Sequence, residues 1–166
     1  RGYGRACQAG LRAVSSQADV VVFLDADYSD YPEELPTLLA PLVQDRADLV
    51  IGSRVLGQAS AGALTPQQRF GNWLACALMA RRFGTRFTDL GPFRAIRHSA
   101  LRQLGLRDAT FGWNVEMQLA ALKARLHVVE VPVRYRARIG RSKISGTLTG
   151  TVRAGAKILW TIARSW

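Results

Sequence analysis

Apolar runs of two kinds alternate along the chain. Residues 20–24 form a continuous apolar run rich in valine, which is typical of a strand buried on both faces, as in a parallel sheet. Residues 48–52 resemble a second short strand, and residues 128–133 alternate like a third, with Pro132 indicating an edge or a strand end. Apolar residues at helical spacing separate these runs. This alternation of helices and strands predicts an α/β layered fold.

The helical segments have recognisable limits. Asp30, followed three residues later by Glu33, is typical of an N-capping pair for the helix that follows the first strand. The segment from Ser53 to Thr65 shows little periodicity and is predicted to be a loop, and Thr88 to Arg94 interrupts the helical pattern. Helices are predicted over residues 5–14, Pro32 to about Gln44, Pro66 to about Phe83, His98 to Leu104, and Trp113 to about Arg125.

Length and composition limit the class of protein. The chain has 166 residues, of which 48% are hydrophobic and 21% charged. This length fits one folded domain, and this composition excludes a disordered tail. No run of about 18 apolar residues is present, which excludes a spanning helix in this stretch. Cys7 and Cys76 are expected to be buried thiols in a reducing compartment. Because the chain opens on Arg1 inside a motif, we expect that an N-terminal part is missing.

The net charge of +11 is concentrated near the C-terminus. Eight basic residues and no acidic residue lie between positions 134 and 166. Such a block implies an anionic partner, which could be nucleic acid, a phospholipid surface or a phosphorylated small molecule. The tryptophans of the C-terminal helical stretch, Trp160 and Trp166, fit a helix on a membrane interface equally as well as one docked on the core.

The acidic pair Asp25 and Asp27 follows the first strand directly. A turn there can aim both carboxylates at one point, where they would bind a divalent cation such as Mg²⁺ or Mn²⁺. Ligands of open α/β sheets bind at the carboxyl ends of strands. Arg54 follows the second strand and would point into the same crevice. The alternative is that the two aspartates shape a turn or cap a helix and that Arg54 is a surface residue.

A second group of candidates is basic. The segment from Arg138 to Ser145 places Arg138, Arg141 and Lys143 around a glycine and two hydroxyl groups, one of them Ser142. These donors suit phosphate oxygens, and glycine lets a backbone approach a ligand closely. The same composition also fits a solvated basic loop.

Two further acids are candidates for proton transfer or for binding a sugar hydroxyl. Asp89 lies in the segment that interrupts the helical pattern, and Glu116 lies early in an apolar helix. Glu116 could equally complement the helix dipole. His98 and His127 are isolated and lack metal-ligand spacing, so we expect both to be structural or exposed.

Taken in order, these segments resemble the family 2 glycosyltransferases, with the polyprenyl-phosphate (dolichol-phosphate-type) sugar transferases as the nearest branch. The resemblance covers about residues 1–158, and the order and spacing of its motifs make the set specific. The motifs are Arg1-Gly2-Tyr3-Gly4, Val22-Phe23-Leu24-Asp25-Ala26-Asp27, Ile51-Gly52-Ser53-Arg54, Asp89-Leu90-Gly91-Pro92-Phe93-Arg94, Val115-Glu116-Met117, Glu130-Val131-Pro132-Val133 and Gly140-Arg141-Ser142-Lys143.

The resemblance implies a GT-A fold, an α/β Rossmann-like and mostly parallel sheet flanked by helices. Residues 1–145 would form a partial GT-A domain, followed by an amphipathic helix over 146–166. Asp25 and Asp27 would match the family's DXD motif and hold the metal. They would bind the donor diphosphate with Arg141 and Lys143, whereas an acceptor phosphate would be bound by Arg54, Arg69, Arg138 and Ser142.

The implied activity is an inverting transfer from a nucleotide-sugar donor to a polyprenyl phosphate or another phosphorylated acceptor. A phosphate monoester is already ionised near neutral pH and needs no base, whereas a hydroxyl acceptor would need one, and Asp89 and Glu116 are then the candidate catalytic residues. We expect a cytoplasmic protein, or one peripheral on the cytoplasmic face of a membrane, with the membrane surface as a further candidate partner.

Two other functions compete with this one. A basic nucleic-acid-binding module would use the C-terminal third, but few aromatic residues interleave its basic residues and the acidic pair would repel a phosphate backbone, so we expect no nucleic-acid partner. A non-catalytic fragment of a glycosyltransferase is the other alternative. The intact acidic pair argues against it, whereas the expected missing N-terminal part argues for it.

Overall fold

The computed structural model describes residues 2–140 and 148–164. Its helices and strands follow the predicted alternation, and the predicted limits of two helices, at residues 66–83 and 98–104, are confirmed. The elements in chain order are α1 (Tyr3–Ala13), β1 (Val20–Phe23), a 3₁₀ turn (Pro32–Glu34), α2 (Leu35–Val43), β2 (Leu49–Ser53), α3 (Pro66–Phe83), β3 (Arg94–Arg97), α4 (His98–Leu104), α5 (Trp113–Lys123), β4 (Val128–Pro132) and α6 (Leu148–Arg164).

The four described strands form one sheet in the order β1-β3-β2-β4. β3 is antiparallel to both β1 and β2, while β2 and β4 are parallel. Strands β1, β2 and β4 therefore run in the same direction, as expected, but β3 lies between β1 and β2 and makes the described sheet mixed, with one parallel and two antiparallel pairings. The sequence did not predict β3, which is four residues long with an arginine at each end.

Strand β1 is not buried on both faces, so that prediction was wrong. Val21 and Phe23 are buried, but Val22 is 37% exposed and Leu24, just beyond the strand, is 42% exposed. The reason is its place in the sheet, where β1 pairs with β3 alone among the described strands. Strand β2 lies between two neighbours and is buried along its whole length.

Side chains on the two faces of the sheet pack into separate clusters. On one face Leu38 and Leu42 of α2 pack with Val50 and Ala95. The opposite face carries the larger cluster, whose buried members include Leu49, Ile51, Ile96, Met79 of α3, Trp113 and Leu119 of α5, and Ile162 of α6. Burying a side chain such as Ile51 contributes about 1.5–3 kcal/mol.

The expected N-capping pair of Asp30 and Glu33 was also wrong. No side chain caps the turn at Pro32–Glu34, whose N-cap residue is Tyr31. Asp30 instead accepts a hydrogen bond from the backbone N–H of Asp25, because the chain folds back on itself after β1.

Helix α6 packs against α3 and α5. Its residue Ile162 is buried in the larger cluster, and its Lys157 Nζ lies 2.8 Å from Asp108 Oδ2. The expected boundary between residues 145 and 146 lies outside the described residues. Within residues 2–140 and 148–164, no helix combines the length and the hydropathy needed to cross a bilayer.

Candidate active site

A cavity of about 870 Å³ lies where β1 and β2 end. Asp25 and Asp27 line it from the loop after β1, Arg54 from the loop after β2, and Arg138 from the segment after β4. The structure thus brings together four of the predicted site residues that are up to 113 positions apart (138 − 25). Helices α1, α3 and α6 contribute further lining residues.

Both carboxylate oxygens of Asp27 have partners. Oδ1 accepts hydrogen bonds from the backbone N–H and the hydroxyl of Ser29, and Oδ2 lies 2.9 Å from Arg138 Nη1. The backbone N–H of Ile139 donates to the carbonyl of Asp27 at 2.9 Å. The segment after β4 is therefore joined to the loop after β1, which places Arg138 beside the acidic pair. Both side chains remain partly exposed, so water screens their attraction.

Asp25 is half-buried and Asp30 is buried. Burial, and then the charge of Asp27, raise the pKa of Asp25. Burial also raises the pKa of Asp30 to about 6, and its Oδ1 is buried without a hydrogen-bond partner. The carboxylates of Asp25 and Asp27 thus disfavour each other's ionised form, a cost that a bound divalent cation would relieve.

The acidic pair fits a hard cation by its donor chemistry, because carboxylate oxygens are the preferred ligands of Mg²⁺ and suit Mn²⁺. In the part of the chain that the structure describes, no group of three or more Asp, Glu, His or Cys side chains is arranged to hold a metal ion. A metal here would take two protein carboxylates at most from this group, leaving coordination positions for phosphate oxygens and water.

Sequence reasoning missed a stack of rings and guanidinium groups next to this site. Arg136 lies over the ring of Tyr28 and 4.3 Å from the ring centroid of Tyr31. Tyr28 follows the acidic pair and has φ of 70°, a backbone conformation that is strained for a bulky residue. The stack holds that strained loop against the segment that carries Arg138. The alternation of arginine and tyrosine over 134–136 was the available signal.

Arg54 and Asp89 form a buried ion pair that the sequence did not predict. Arg54 Nε and Nη2 each lie 2.7 Å from an oxygen of Asp89, and the backbone N–H of Arg54 donates to Oδ2 at 2.8 Å. Burial lowers the pKa of Arg54, but the hydrogen bond and charge of Asp89 outweigh it, so the pKa lies above its usual value. Arg54 is thus not a surface arginine. Because both oxygens of Asp89 are bonded to Arg54, the geometry favours a positioning role over that of a base.

Glu116 is occupied elsewhere. Its carboxylate accepts hydrogen bonds from the backbone N–H groups of Arg107 and Asp108. It lines neither this cavity nor the one described next. The structure therefore does not bring Glu116 to the acidic pair, and the contacts favour a structural role in the loop that precedes α5.

A second cavity of about 1110 Å³ lies between α3 and the loop that follows β2. Arg69 is exposed and lines this second cavity rather than the first. Arg54 lines both, as do Leu64, Gln68 and Asn72. The two cavities therefore share a wall of four residues, of which Arg54 is the only charged one.

The remaining predicted residues lie apart from this site or outside the described chain. His98 contacts the carbonyl of Ala18 through Nδ1 at 3.0 Å, and His127 is exposed, in agreement with structural or exposed roles. Cys76 is buried as expected, whereas Cys7 is half-buried and lines the first cavity. The candidates Arg141, Ser142 and Lys143 lie outside the described residues.

Comparison with known proteins identifies the relatives of this chain. Residues 1–105 match the family described as Glycosyl transferase family 2. An uncharacterized glycosyltransferase of Mycobacterium tuberculosis is 37% identical over 92% of this chain and 68% of the relative. An undecaprenyl-phosphate mannosyltransferase of Micrococcus luteus is 32% identical over 99% of this chain and 69% of the relative.

Solved structures share the fold. Glucosyl-3-phosphoglycerate synthase of Mycobacterium tuberculosis, crystallised with Mn²⁺, uridine diphosphate and glucosyl-3-phosphoglycerate, superposes with a TM-score of 0.75 at 21% identity. The match covers 99% of this chain and 55% of that one. The chain thus spans little more than half the length of such structures, and the expected GT-A fold is confirmed.

Proposed function

The chain belongs to glycosyl transferase family 2, and from this premise we propose that it transfers a sugar from a nucleotide-sugar donor to a polyprenyl phosphate or a related phosphorylated acceptor. The proposed transfer inverts the anomeric carbon and uses Mg²⁺ or Mn²⁺. The observation that carries the proposal is that Asp25, Asp27, Arg54 and Arg138 all line the first cavity. A site with both an acidic pair and guanidinium groups suits a diphosphate bound with a cation.

The acidic pair is the proposed donor site. Asp25 and Asp27 would hold the metal, which, when bound, neutralises the charge that develops on the nucleoside-diphosphate leaving group. Arg138, within salt-bridge distance of Asp27, stands at the edge of this site and can donate to phosphate oxygens. Arg141 and Lys143 are proposed donor-diphosphate ligands, and Ser142 a ligand of the acceptor phosphate, from their sequence positions alone.

The second cavity is the proposed acceptor site. Arg54 and Arg69 both line it, and Arg54 lies where it meets the donor cavity. An acceptor phosphate bound by Arg54 would therefore face the donor across a short distance. A phosphate monoester needs no general base, which agrees with the engagement of Asp89 by Arg54 and of Glu116 by a loop backbone.

The names of related proteins support both substrate classes. The Micrococcus luteus relative is an undecaprenyl-phosphate mannosyltransferase, and a Mycolicibacterium smegmatis relative is a polyprenol monophosphomannose synthase. The structurally similar synthase was crystallised with Mn²⁺, uridine-diphosphate-glucose and phosphoglyceric acid. Each combines a sugar with a phosphorylated acceptor.

We propose further that the protein contacts the cytoplasmic face of a membrane, where a polyprenyl phosphate would reside. Phe70 and Trp73 of α3 are 62% exposed, and Trp160 of α6, which packs against α3, is 61% exposed. Exposed aromatic residues together with a net charge of +11 suit an anionic lipid surface. Sedimentation with phosphatidylglycerol vesicles should lose at least half of the bound protein in a W73A/W160A variant, and unchanged binding would refute this contact.

The activity test uses the longest natural protein that carries this chain. Transfer of labelled sugar from a panel of nucleotide sugars to undecaprenyl phosphate is measured with Mn²⁺ and with EDTA. D27A should abolish transfer, since it removes a proposed metal ligand, whereas D19A, which alters an exposed acid before β1, is the matched control. Full activity of D27A in EDTA would refute the metal role, and transfer to hydroxyl acceptors alone would refute the phosphorylated acceptor.

A further inference from the structure

We propose that Glu130 is a positioning residue that fixes the guanidinium group of Arg54 between the two cavities by holding the backbone of Thr88 and Asp89. The inference rests on the proposed function in one respect, because binding phosphate is what gives a fixed Arg54 its purpose. Glu130 touches neither cavity, so any effect on substrate must pass through other residues.

Glu130 binds two successive backbone N–H groups. Thr88 N lies 3.0 Å from Oε1 and 2.9 Å from Oε2, and Asp89 N lies 3.0 Å from Oε1. Glu130 is part of strand β4, where it pairs in register with Ile51 and is partly buried. A carboxylate is costly in the interior of a strand unless charge-assisted hydrogen bonds compensate for its desolvation. The hydrogen bonds from Thr88 and Asp89 supply that compensation, so the carboxylate of Glu130 acts as an acceptor for the backbone of this loop.

Two amide side chains hold the other backbone groups of the same loop. Asn72 of α3 donates to the carbonyl of Thr88 at 2.8 Å and accepts from the N–H of Leu90 at 2.9 Å. Gln118 of α5 donates to the carbonyl of Asp89 at 3.1 Å. Side chains from a strand and two helices therefore hold residues 88–90, which belong to no strand or helix themselves.

The held loop presents Asp89, and Asp89 holds Arg54. Both carboxylate oxygens are used, so the plane of the guanidinium group is fixed. The ring of Tyr135 lies 4.9 Å from the guanidinium carbon and limits movement from that side. A guanidinium group fixed before the ligand arrives loses little freedom on binding phosphate. Loosening residues 88 and 89 would release Asp89 and, with it, Arg54.

The first experiment observes Arg54 directly. In ¹⁵N-labelled protein, the Arg54 Nε–Hε signal should exchange slowly with solvent, and E130Q should accelerate that exchange by at least about tenfold because one amide oxygen cannot replace two carboxylate oxygens. E116Q is the matched control, since Glu116 also accepts from two successive backbone N–H groups. It should release the amides of residues 107 and 108 and leave Arg54 Nε–Hε within twofold of wild type.

The result that would contradict the inference is a change in exchange at the loop amides without a change at Arg54. If E130Q frees the Thr88 and Asp89 amides while Arg54 Nε–Hε exchange stays within twofold, Glu130 is a purely local brace and the inference fails. Wild-type protein decides the matter if E130Q does not fold. In wild-type protein, the Asp89 amide and Arg54 Nε–Hε should then have similar protection factors against hydrogen exchange. An Arg54 Nε–Hε that exchanges freely while the Asp89 amide is protected overturns the inference.

The second experiment measures transfer. E130Q should raise the KM for the phosphorylated acceptor by about 3- to 30-fold, which lies within the coupling found between contacting residues, with the KM for the donor unchanged. A fall in kcat with both KM values unchanged would overturn the positioning role. If the wild-type protein transfers no sugar, the proposed function has failed, yet the exchange rates at Arg54 still decide whether Glu130 positions it.

Discussion

Breaking the Arg54–Asp89 ion pair from its two sides should destabilise the fold by unequal amounts. Asp89 is 1% exposed and the side chain of Arg54 is 14% exposed, so the two charges differ in their access to water. Removing one partner of a buried ion pair costs about 3–5 kcal/mol. In R54M, the Asp89 carboxylate would keep a single bond, from the backbone N–H of residue 54, and the cost should approach the upper end of that range.

D89N is the milder change. The amide oxygen can still accept from Arg54, and water can reach the Arg54 side chain, which is 14% exposed and belongs to a residue that lines two cavities. We expect a loss of about 2–3 kcal/mol, below the range for a fully buried charge. The double variant R54M/D89N should be less destabilised than the sum of the single variants by about 1 kcal/mol or more, since no charge is left unpaired.

Urea denaturation at pH 7.5 measures these free energies of unfolding through tryptophan fluorescence, because Trp113 is fully buried. D45N is the control, since it alters an ion pair whose acid is 88% exposed, and a change below about 0.5 kcal/mol is expected. A larger loss in D89N than in R54M, or losses in both as small as in D45N, would refute the reasoning from solvent access.

The same variants distinguish a base from a positioning residue. If Asp89 positions Arg54, D89N should raise the KM for the phosphorylated acceptor more than it lowers kcat. If Asp89 takes a proton from a hydroxyl acceptor, D89N should reduce kcat by about 100-fold or more with little change in KM.

Two further predictions concern the walls of the cavities. G57A should lower the free energy of unfolding by about 1–3 kcal/mol, because an added Cβ would lie 2.0 Å from the backbone oxygen of Val133. In the same urea assay, G10A should raise the free energy of unfolding by about 0.5–1 kcal/mol, because an added Cβ at this position of helix α1 would meet no neighbour within 4 Å. Burial raises the pKa of Asp108, but hydrogen bonds from Lys157 and Thr110 outweigh it and hold the pKa below its usual value, so this contribution to stability is present near neutral pH and is lost as pH falls below about 4. Hydrogen exchange of the α6 amides should accelerate over that range in wild type, and an equal acceleration in K157M would contradict the role of the ion pair.

The sequence by itself determined the elements and their order. The limits of α3 and α4 were predicted because apolar spacing, Pro66 and the segment after Phe83 are signals carried within one or two helical turns. The acidic pair at the end of β1 was found for a similar reason, since it directly follows an apolar run. The capping pair at Asp30 failed, although its spacing was correct, because the backbone N–H of Asp25, five positions earlier in the loop after β1, donates to the same carboxylate.

The tertiary structure alone decided the position of β3 and the contacts around Arg54. Strand β3 lacks an apolar run from which it could be predicted, and it forms because β1 and β2 supply hydrogen bonds on both sides. Arg54 and Asp89 are separated by 35 positions, and Glu130 reaches their loop from a third element. Pairings of this kind depend on the register of the sheet and the packing of its helices, whereas the sequence pattern reports only on each residue's near neighbours. The sequence therefore named Asp25, Asp27, Arg54 and Arg138 as site residues, whereas only the tertiary structure showed that Arg54 is paired with Asp89 and that Glu130 holds the loop of Asp89.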